Sequence, residues 1–365
     1  MELAEICRKA LGEGASDVHL KADKPPVIRV NGRLRPLAGA ASLSGQDVGK
    51  LAWSVLNPAQ RERFKSSSDL DIAWTSPQGH RFRINVFKQR QHVGLALRAI
   101  PAVIPELCDL HLPAVLNRIA LAPRGLVLLT GVTGSGKSTT LAAMVQEINH
   151  NLPHHILTIE DPIEFRFQDD LCLINQREIG DDSASFSVAL RSALRQDPDV
   201  ILISEIRDAE TMRTALSAAE TGHLVMASLH ALNAQEAITR VLDFFDETHQ
   251  QSVRNMLSSS LKAIISQRLV PAKAGGRLAA VEVMVNAGAI TECIGREERS
   301  KEITDLLASG SAQYGTQTFD QSLYWHYKDD LITAQDAQRF ANNPEDLALR
   351  ISGISTCDWN RPPNP

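Results

Sequence analysis

No two cysteines in this chain stand at a CxxC spacing. The five present, Cys7, Cys108, Cys172, Cys293 and Cys357, are scattered and odd in number. That spread argues against a zinc site and a disulfide framework, and for a reducing compartment. No apolar run nears the ~18 residues a membrane-spanning helix needs. The opening stretch, MELAEICRKALGEGASD, carries acids where a secretory signal would start with basic residues, and it has no apolar centre. Basic excess is missing as well. The formal net charge is -5, and no basic, aromatic-laced strip marks a nucleic-acid groove. These absences lead us to expect a cytosolic protein with no membrane span and no nucleic acid among its partners.

What is present reads as two domains. Apolar content of 43% and charged content of 22% are those of an ordinary globular protein, and 365 residues suffice for two or three domains. Leu3, Ile6, Ala10 and Leu11 fall at helical spacing. In PPVIRVNGRLRPL, Asn31-Gly32 between two extended runs predicts a hairpin. HRFRINVFKQR alternates Phe82, Ile84 and Val86 with Arg81, Arg83 and Asn85, as a half-buried strand should, and VGLALRAI is a further strand. Pro101 and Pro105 then mark a linker. Beyond it, the apolar runs GLVLLTG, HILTIED, LCLINQ, VILISEI and HLVMASLH alternate with helical patterns. In FSVALRSALRQ, for example, Phe186, Ala189, Leu190, Ala193 and Leu194 share one face. Such alternation predicts an α/β sheet with its ligand at the strand carboxyl ends. From about Asn233 the pattern is mostly helical, opening with Asn233 and Glu236 as a capping pair, with RLAAVEVMV as a late strand and STCDWNRPPNP as a disordered tail. The expected boundaries are residues 1–100, a linker at 101–108, a second domain at 109–353 and a tail at 354–365.

The segment GVTGSGKST fits G-x-x-x-x-G-K-[ST] and has the required context, a strand before it and the helical STTLAAMVQEI after it. Gly131, Thr133, Gly134, Ser135, Gly136, Lys137, Ser138 and Thr139 are therefore the candidate nucleotide-binding residues. Glycines let the backbone N–H groups turn toward phosphate oxygens, and the helix N-terminus favours anions. Lys137 is placed to reach the β- and γ-phosphates of ATP, and Ser138 to bind Mg²⁺.

Acids and one histidine stand at the ends of neighbouring runs. ILTIEDPIEF ends a strand at Glu160 and Asp161, since Pro162 cannot continue it, and adjacent residues face opposite ways. Glu160 is the candidate to activate water, with Glu164 in reserve; the residues alone also fit solvated strand-end charges. In VILISEIRD the apolar run is buried, and Glu205 at its end suits Mg²⁺ held through a water, or a salt bridge to Arg207. His223 and His230 lie seven apart and face opposite ways on an ideal strand, so they are not joint ligands. His230 can face the γ-phosphate or the attacking water, or be structural.

Together these elements resemble the secretion-type ATPases of the type IV pilus and type II secretion superfamily, above all the pilus retraction (twitching motility) ATPases. The matching segments are GASDVHL, PPVIRVNGRL, RFRINVF, GLVLLTGVTGSGKSTTLAAM, ILTIEDPIEF, ALRSALRQDPDVILISEIRDAETMRTALSAAETGHLVMASLHA, QRLVP, AAVEVMVN and GTQTFDQSLY, which span nearly the whole chain. The resemblance implies an N-terminal PAS-like α+β domain, then a RecA-like P-loop ATPase domain with a helical C-terminal part. It implies a homo-hexamer at the cytoplasmic face of the inner membrane that drives retraction with ATP and Mg²⁺. Its partners would be an inner-membrane pilus platform protein and a paralogous retraction ATPase. By motif, Glu160 is the catalytic base, Glu205 holds Mg²⁺ through water and His230 faces the γ-phosphate. Arg83 and Arg98, with Arg81 as a further candidate, would reach a neighbouring subunit's nucleotide.

The short N-terminal region and the cysteine-free AKAGGRLAA favour retraction over extension or secretion ATPases. Ser204 and Ala231 stand where retraction ATPases usually have Gly and Thr, and AITECI replaces AIRNLI. The ending TFDQSLYWHYKDDLITAQDAQRFANNPEDLALRI is more like the accessory retraction paralogue. Two other functions compete with the motor: a nucleotide-binding regulatory or assembly scaffold with little turnover, and a DNA-translocating ATPase, which the acidic balance disfavours.

Overall fold

Two strand periodicities divide this chain: one half-buried and alternating, the other buried throughout. The computed structural model describes residues 2–30, 32–100, 103–354 and 359. The chain separates into two units, Met1–Val103 with Pro162–Arg166, and Ile104–Asp161 with Phe167–Pro365. The short segment Pro162–Arg166, expected within the second domain, thus groups with the first unit.

The first unit holds α1 (Leu3–Gly12), β1 (Asp17–Leu20), β2 (Val27–Val30), β3 (Arg33–Pro36), α2 (Gly45–Val55), α3 (Pro58–Ser67), β4 (Asp69–Thr75), β5 (Arg81–Gln89) and β6 (His92–Ile100). The six strands form one antiparallel sheet in the order β3-β2-β1-β6-β5-β4. Phe82, Ile84 and Val86 of β5 are fully buried, and they pair across to Ala99, Leu97 and Leu95 of β6. Leu3, Ile6 and Ala10 of α1 and Phe64 of α3 are buried in the same apolar cluster. The other face of the sheet carries the intervening arginines and acids. The β2–β3 pairing agrees with the predicted hairpin; Gly32 takes φ +80, and Asn31 lies outside the described residues. A second tight turn, between β5 and β6, has no sequence signal, because Arg90 and Gln91 take the left-handed φ (+46 and +66) usually left to Asn or Gly.

The second unit opens with α4 (Val115–Ala120), β7 (Gly125–Thr130), α5 (Lys137–Asn151), β8 (His155–Glu160), β9 (Leu173–Glu178), α6 (Phe186–Ala193), β10 (Val200–Ile203), α7 (Ala209–Glu220) and β11 (Leu224–Leu229). It continues with α8 (Ala234–Leu242), α9 (Glu247–Ser260), β12 (Leu261–Pro271), β13 (Arg277–Val285), α10 (Ala289–Gly295), α11 (Ile303–Ser309), α12 (Ser311–Tyr314), α13 (Phe319–Lys328), α14 (Ala334–Phe340) and α15 (Pro344–Ile351). The sheet order is β13-β12-β7-β11-β10-β8-β9, parallel except for β13. Its central strands are buried on both faces. Leu126, Leu128, Ile201, Ile203, Val225 and Ala227 feed one cluster with helices α6 to α10. Val127, Leu129, Val200, Leu202, Leu224 and Met226 feed another with α4 and α5. Each fully buried aliphatic side chain is worth about 1.5–3 kcal/mol, so the two clusters hold the sheet between its helices.

Strand β12 is the main departure from the sequence reading, which expects helix there. LKAIISQRLVP pairs in parallel with β7 and antiparallel with β13, with a bulge between Leu261 and Ala263. Tertiary pairing decides the outcome, since its β-branched and polar residues fit two strand neighbours. The C-terminal helices pack on this strand. The Arg268 guanidinium lies 3.6 Å from the Phe319 ring centroid and donates to the Phe340 carbonyl (2.7 Å) and Asn342 Oδ1 (3.0 Å). Asp320 accepts the backbone N–H groups of Asn342 and Asn343. The capping prediction is half right: Asn233 accepts Glu236 N–H at 2.8 Å, but the Glu236 carboxylate binds Leu232 N–H instead of closing a box. Of the predicted tail, Trp359 packs edge-on against Tyr324 and takes the Trp325 indole N–H on its carbonyl. Most of the rest of that stretch lies outside the described residues.

Ile84 is fully enclosed at the centre of the first sheet. Ile84→Ala is expected to cost about 2–5 kcal/mol of unfolding free energy, read as a lower urea midpoint for the first unit.

Candidate functional site

The loop begins where β7 stops at Thr130, and α5 opens at Lys137. Gly131, Gly134 and Gly136 take φ of +142, +78 and +92, a region that L side chains avoid. At Gly131 space is lacking as well: a Cβ would lie 2.4 Å from the Gln267 carbonyl oxygen and 2.6 Å from Ser135 Oγ. No side chain caps the start of α5, so its first-turn N–H groups and dipole present an anion-binding end. Lys137 Nζ donates to the carbonyls of Gly131 (2.8 Å) and Val132 (3.1 Å), which folds the ammonium back over the loop. Thr133, Gly134 and Ser138 are exposed, Thr139 is half-buried and Ser135 is buried.

β7, β11, β10 and β8 are consecutive neighbours and all parallel, so their carboxyl ends lie on one side of the sheet. Glu160 ends β8 with only 6% exposure. One of its oxygens, Oε1, accepts the Thr158 hydroxyl (2.6 Å) and the Gln176 amide (3.0 Å). Glu205 follows β10. Ser204 N–H donates to the Ile159 carbonyl, Ile206 N–H to the Ser228 carbonyl, and the Ser228 hydroxyl to the Ser204 carbonyl. This zip between the neighbouring strands fixes the backbone on both sides of Glu205.

The Glu205 carboxylate binds Arg207 (2.8 Å) through one oxygen and His230 Nε2 (3.1 Å) through the other. Burial pushes its pKa up, but the Arg207 hydrogen bond and charge, aided by His230 and Lys137, outweigh that and hold it below the usual carboxylate value. Glu205 is therefore an anion at neutral pH. The salt bridge to Arg207 read as an alternative from sequence is formed, and His230 joins it. His223 does something else: its ring nitrogen lies 2.9 Å from the Ala218 carbonyl at the end of α7. Among the described residues no group of three or more His, Cys, Asp or Glu could hold a metal ion. One carboxylate and one serine hydroxyl still suit Mg²⁺, which keeps its waters and takes its remaining ligands from phosphate.

The remaining predicted residues lie in the first unit. Arg83 and Arg98 are direct cross-strand neighbours, and each has an aspartate: Asp71 at 3.8 Å and Asp17 at 3.0 Å. Arg81 Nε donates to the Ile163 carbonyl at 3.2 Å. Glu164 lies in the same Pro162–Arg166 segment of that unit. The sequence reading gave no role to Thr158, Gln176, Ser228, Thr140 or Gln267. The available signal was a polar residue inside an apolar run, as in ILTIE and AIISQRLV, because a buried polar group must have a partner.

A glycine-rich loop between a buried parallel strand and a helix, with acids at adjacent strand ends, defines a P-loop nucleotide-binding protein. The family model for the type II/IV secretion system protein matches residues 2–328. The chain belongs to that family, among its pilus retraction ATPases. It is 44% identical to the Pseudomonas aeruginosa protein named Type IV pilus retractation ATPase PilT, over 95% of this chain and 100% of that protein. It is 43% identical to the Type IV pilus ATPase PilU of the same organism, over 98% and 93%. A crystal structure of the pilus retraction motor PilT with bound ADP superposes with a TM-score of 0.87 at 42% identity, covering 95% of this chain and 98% of that one.

Two outcomes follow from this geometry. Gly131→Ala is expected to weaken ADP binding more than about tenfold by calorimetric titration, since backbone rather than a movable side chain opposes the new methyl. Glu205 has its folded-state pKa below the unfolded value, so its ion pairs stabilise the protein above about pH 4.5. That contribution is lost as pH falls through the lowered value, and the stability gap between wild type and Glu205→Gln should narrow below about pH 4.5 in urea titrations.

Proposed function

We propose that this chain is a hexameric motor that hydrolyses ATP to retract a type IV pilus. The observation that carries the reading is the gathering of the phosphate loop, Glu160, Glu205 and His230 at the carboxyl ends of four adjacent parallel strands. Gly131, Thr133, Gly134, Ser135, Gly136 and Thr139 cradle the phosphates with backbone N–H groups, and Lys137 turns from its loop carbonyls to the β- and γ-oxygens. Bound Mg²⁺, held by Ser138 and through water by Glu205, would neutralise charge on those oxygens. Glu160 orients and deprotonates the attacking water, with its Oε1 steadied by Thr158 and Gln176. His230 leaves Glu205 to face the γ-phosphate. Glu164, in the first unit, is the reserve acid.

In this reading the first unit is a PAS-like domain and the second a RecA-like motor domain with a helical C-terminal part. Arg83, Arg98 and Arg81 reach the nucleotide of the next subunit in a closed ring, where a transition-state arginine can be worth ~10³–10⁵ in rate. The Arg83–Asp71 pair is solvent-exposed on both sides and Arg98 is exposed on its own side, so these two arginines can change partner at little cost. No helix among the described residues is long and apolar enough to cross a membrane. The ring would work from the cytoplasm at the inner membrane, through a polytopic platform protein, alone or beside a paralogous retraction ATPase.

Glu160→Gln tests the motor. Turnover of ATP with Mg²⁺ should fall about 10²–10⁴-fold while ADP still binds; an unchanged rate would favour a scaffold that binds nucleotide without useful turnover. Deletion in cells should leave long pili without twitching if this is the main motor. Normal piliation with weak retraction under load would assign the accessory role.

A further inference from the structure

The phosphate loop rests on a side chain that belongs to neither β7 nor α5. Gln267, in β12, is 4% exposed. Its Nε2 donates to the Ser135 carbonyl at 2.8 Å, and its Oε1 accepts the Thr140 hydroxyl at 2.9 Å. Ser135 is in the loop and Thr140 in the first turn of the helix, so one amide ties both sides of the anion-binding arc. The same residue closes the space under both end glycines. Its carbonyl oxygen would meet a Cβ on Gly131 at 2.4 Å, and its Nε2 would meet one on Gly136 at 2.7 Å. The strand beneath is itself fixed in register. Ser266 pairs with Thr130, the last residue before the loop, and Ser266 Oγ accepts the Thr130 hydroxyl at 2.9 Å.

A glycine loop needs such a tie. Backbone freedom at positive φ lets the loop curve, and it also lets the peptide next to Gly136 rotate to present the wrong group. In a trans peptide the C=O and the following N–H point in opposite directions. A donor that holds the Ser135 carbonyl toward β12 therefore aims the Gly136 N–H away from β12. Without it the buried carbonyl has lost its partner, and turning the peptide over becomes a way to regain one.

We infer that Gln267 is a positioning residue of the nucleotide site, whose amide locks the Ser135–Gly136 peptide in the orientation that binds phosphate. The inference rests on the loop being the nucleotide site proposed above, and that dependence can be separated by experiment. The full-length protein is titrated with ADP and Mg²⁺, and its urea unfolding is followed without nucleotide. Gln267→Leu removes both bonds. Gln267→Glu keeps the shape and the Thr140 bond but sets a carboxylate against the Ser135 carbonyl, and it carries the test if the leucine variant does not fold. Both variants should bind ADP about tenfold more weakly, and both should unfold at lower urea than wild type, since each leaves the buried Ser135 carbonyl without its donor. Thr140→Val should weaken binding in the wild-type background and add nothing to Gln267→Leu. ADP affinity within about twofold of wild type in either folded variant, or an equal loss of ADP affinity in Leu257→Ala, which opens a cavity in the core at α9 away from the loop, overturns the inference. Lys137→Ala is the control: if it too binds ADP normally, the loop reading itself fails, whereas if it alone loses ADP, only the role of Gln267 falls.

Discussion

A parallel strand covered by helices on both faces has nowhere to keep a polar side chain except at its ends. That constraint organises the second unit. β7, β10 and β11 are buried along their whole length, and β8 is buried from Ile156 onward. Their chemistry begins at the residue where each strand leaves the sheet: Gly131, Glu160, Glu205 and His230. Because the four strands are neighbours and run the same way, those end residues form a group without any loop having to reach across the sheet. The polar residues inside β7, β8 and β11, Thr130, Thr158 and Ser228, lie near those ends and hydrogen-bond to Ser266 of β12, to Glu160 and to the Ser204 carbonyl.

The charges at this edge balance one another. Glu205 takes Arg207 and His230, Lys137 folds onto two carbonyls, and one oxygen of Glu160 takes two neutral donors. Lys137, Glu160, Glu205 and His230 each already have a partner in the protein. In the function proposed above, binding would be an exchange of partners, in which phosphate takes the place of the loop carbonyls at Lys137. Exchange of this kind costs less than gathering unpaired charges in a dry cleft.

Much of this was legible in the sequence because it rests on local pattern. The period-2 alternation of β5, the apolar runs of β7, β10 and β11, and the loop motif with its strand and helix each lie within a short window. What was not legible depends on partners far along the chain. β12 reads as part of a helical region until β7 and β13 flank it, and Gln267 acquires its role only because β12 lies next to the loop. The β5–β6 turn is silent because Arg90 and Gln91 adopt left-handed backbone that strand pairing imposes on them. The Glu205 alternatives could not be separated by spacing either; what the structure shows is the salt bridge to Arg207, with His230 on the other oxygen.

The bulge at Lys262 has a bearing on all of this. Leu261 pairs with Leu126 and Ala263 with Val127, so β12 spends one extra residue at its start. Side chains alternate along a strand, and consecutive residues Gln267 and Arg268 serve opposite clients, the phosphate loop and the C-terminal helices. Were β12 to pair without the extra residue, every later side chain would change faces. The loop would lose its amide and the terminal helices their arginine in the same step. The bulge thus works as a phase marker: the amide under the loop and the arginine under the last helices both depend on the register it sets.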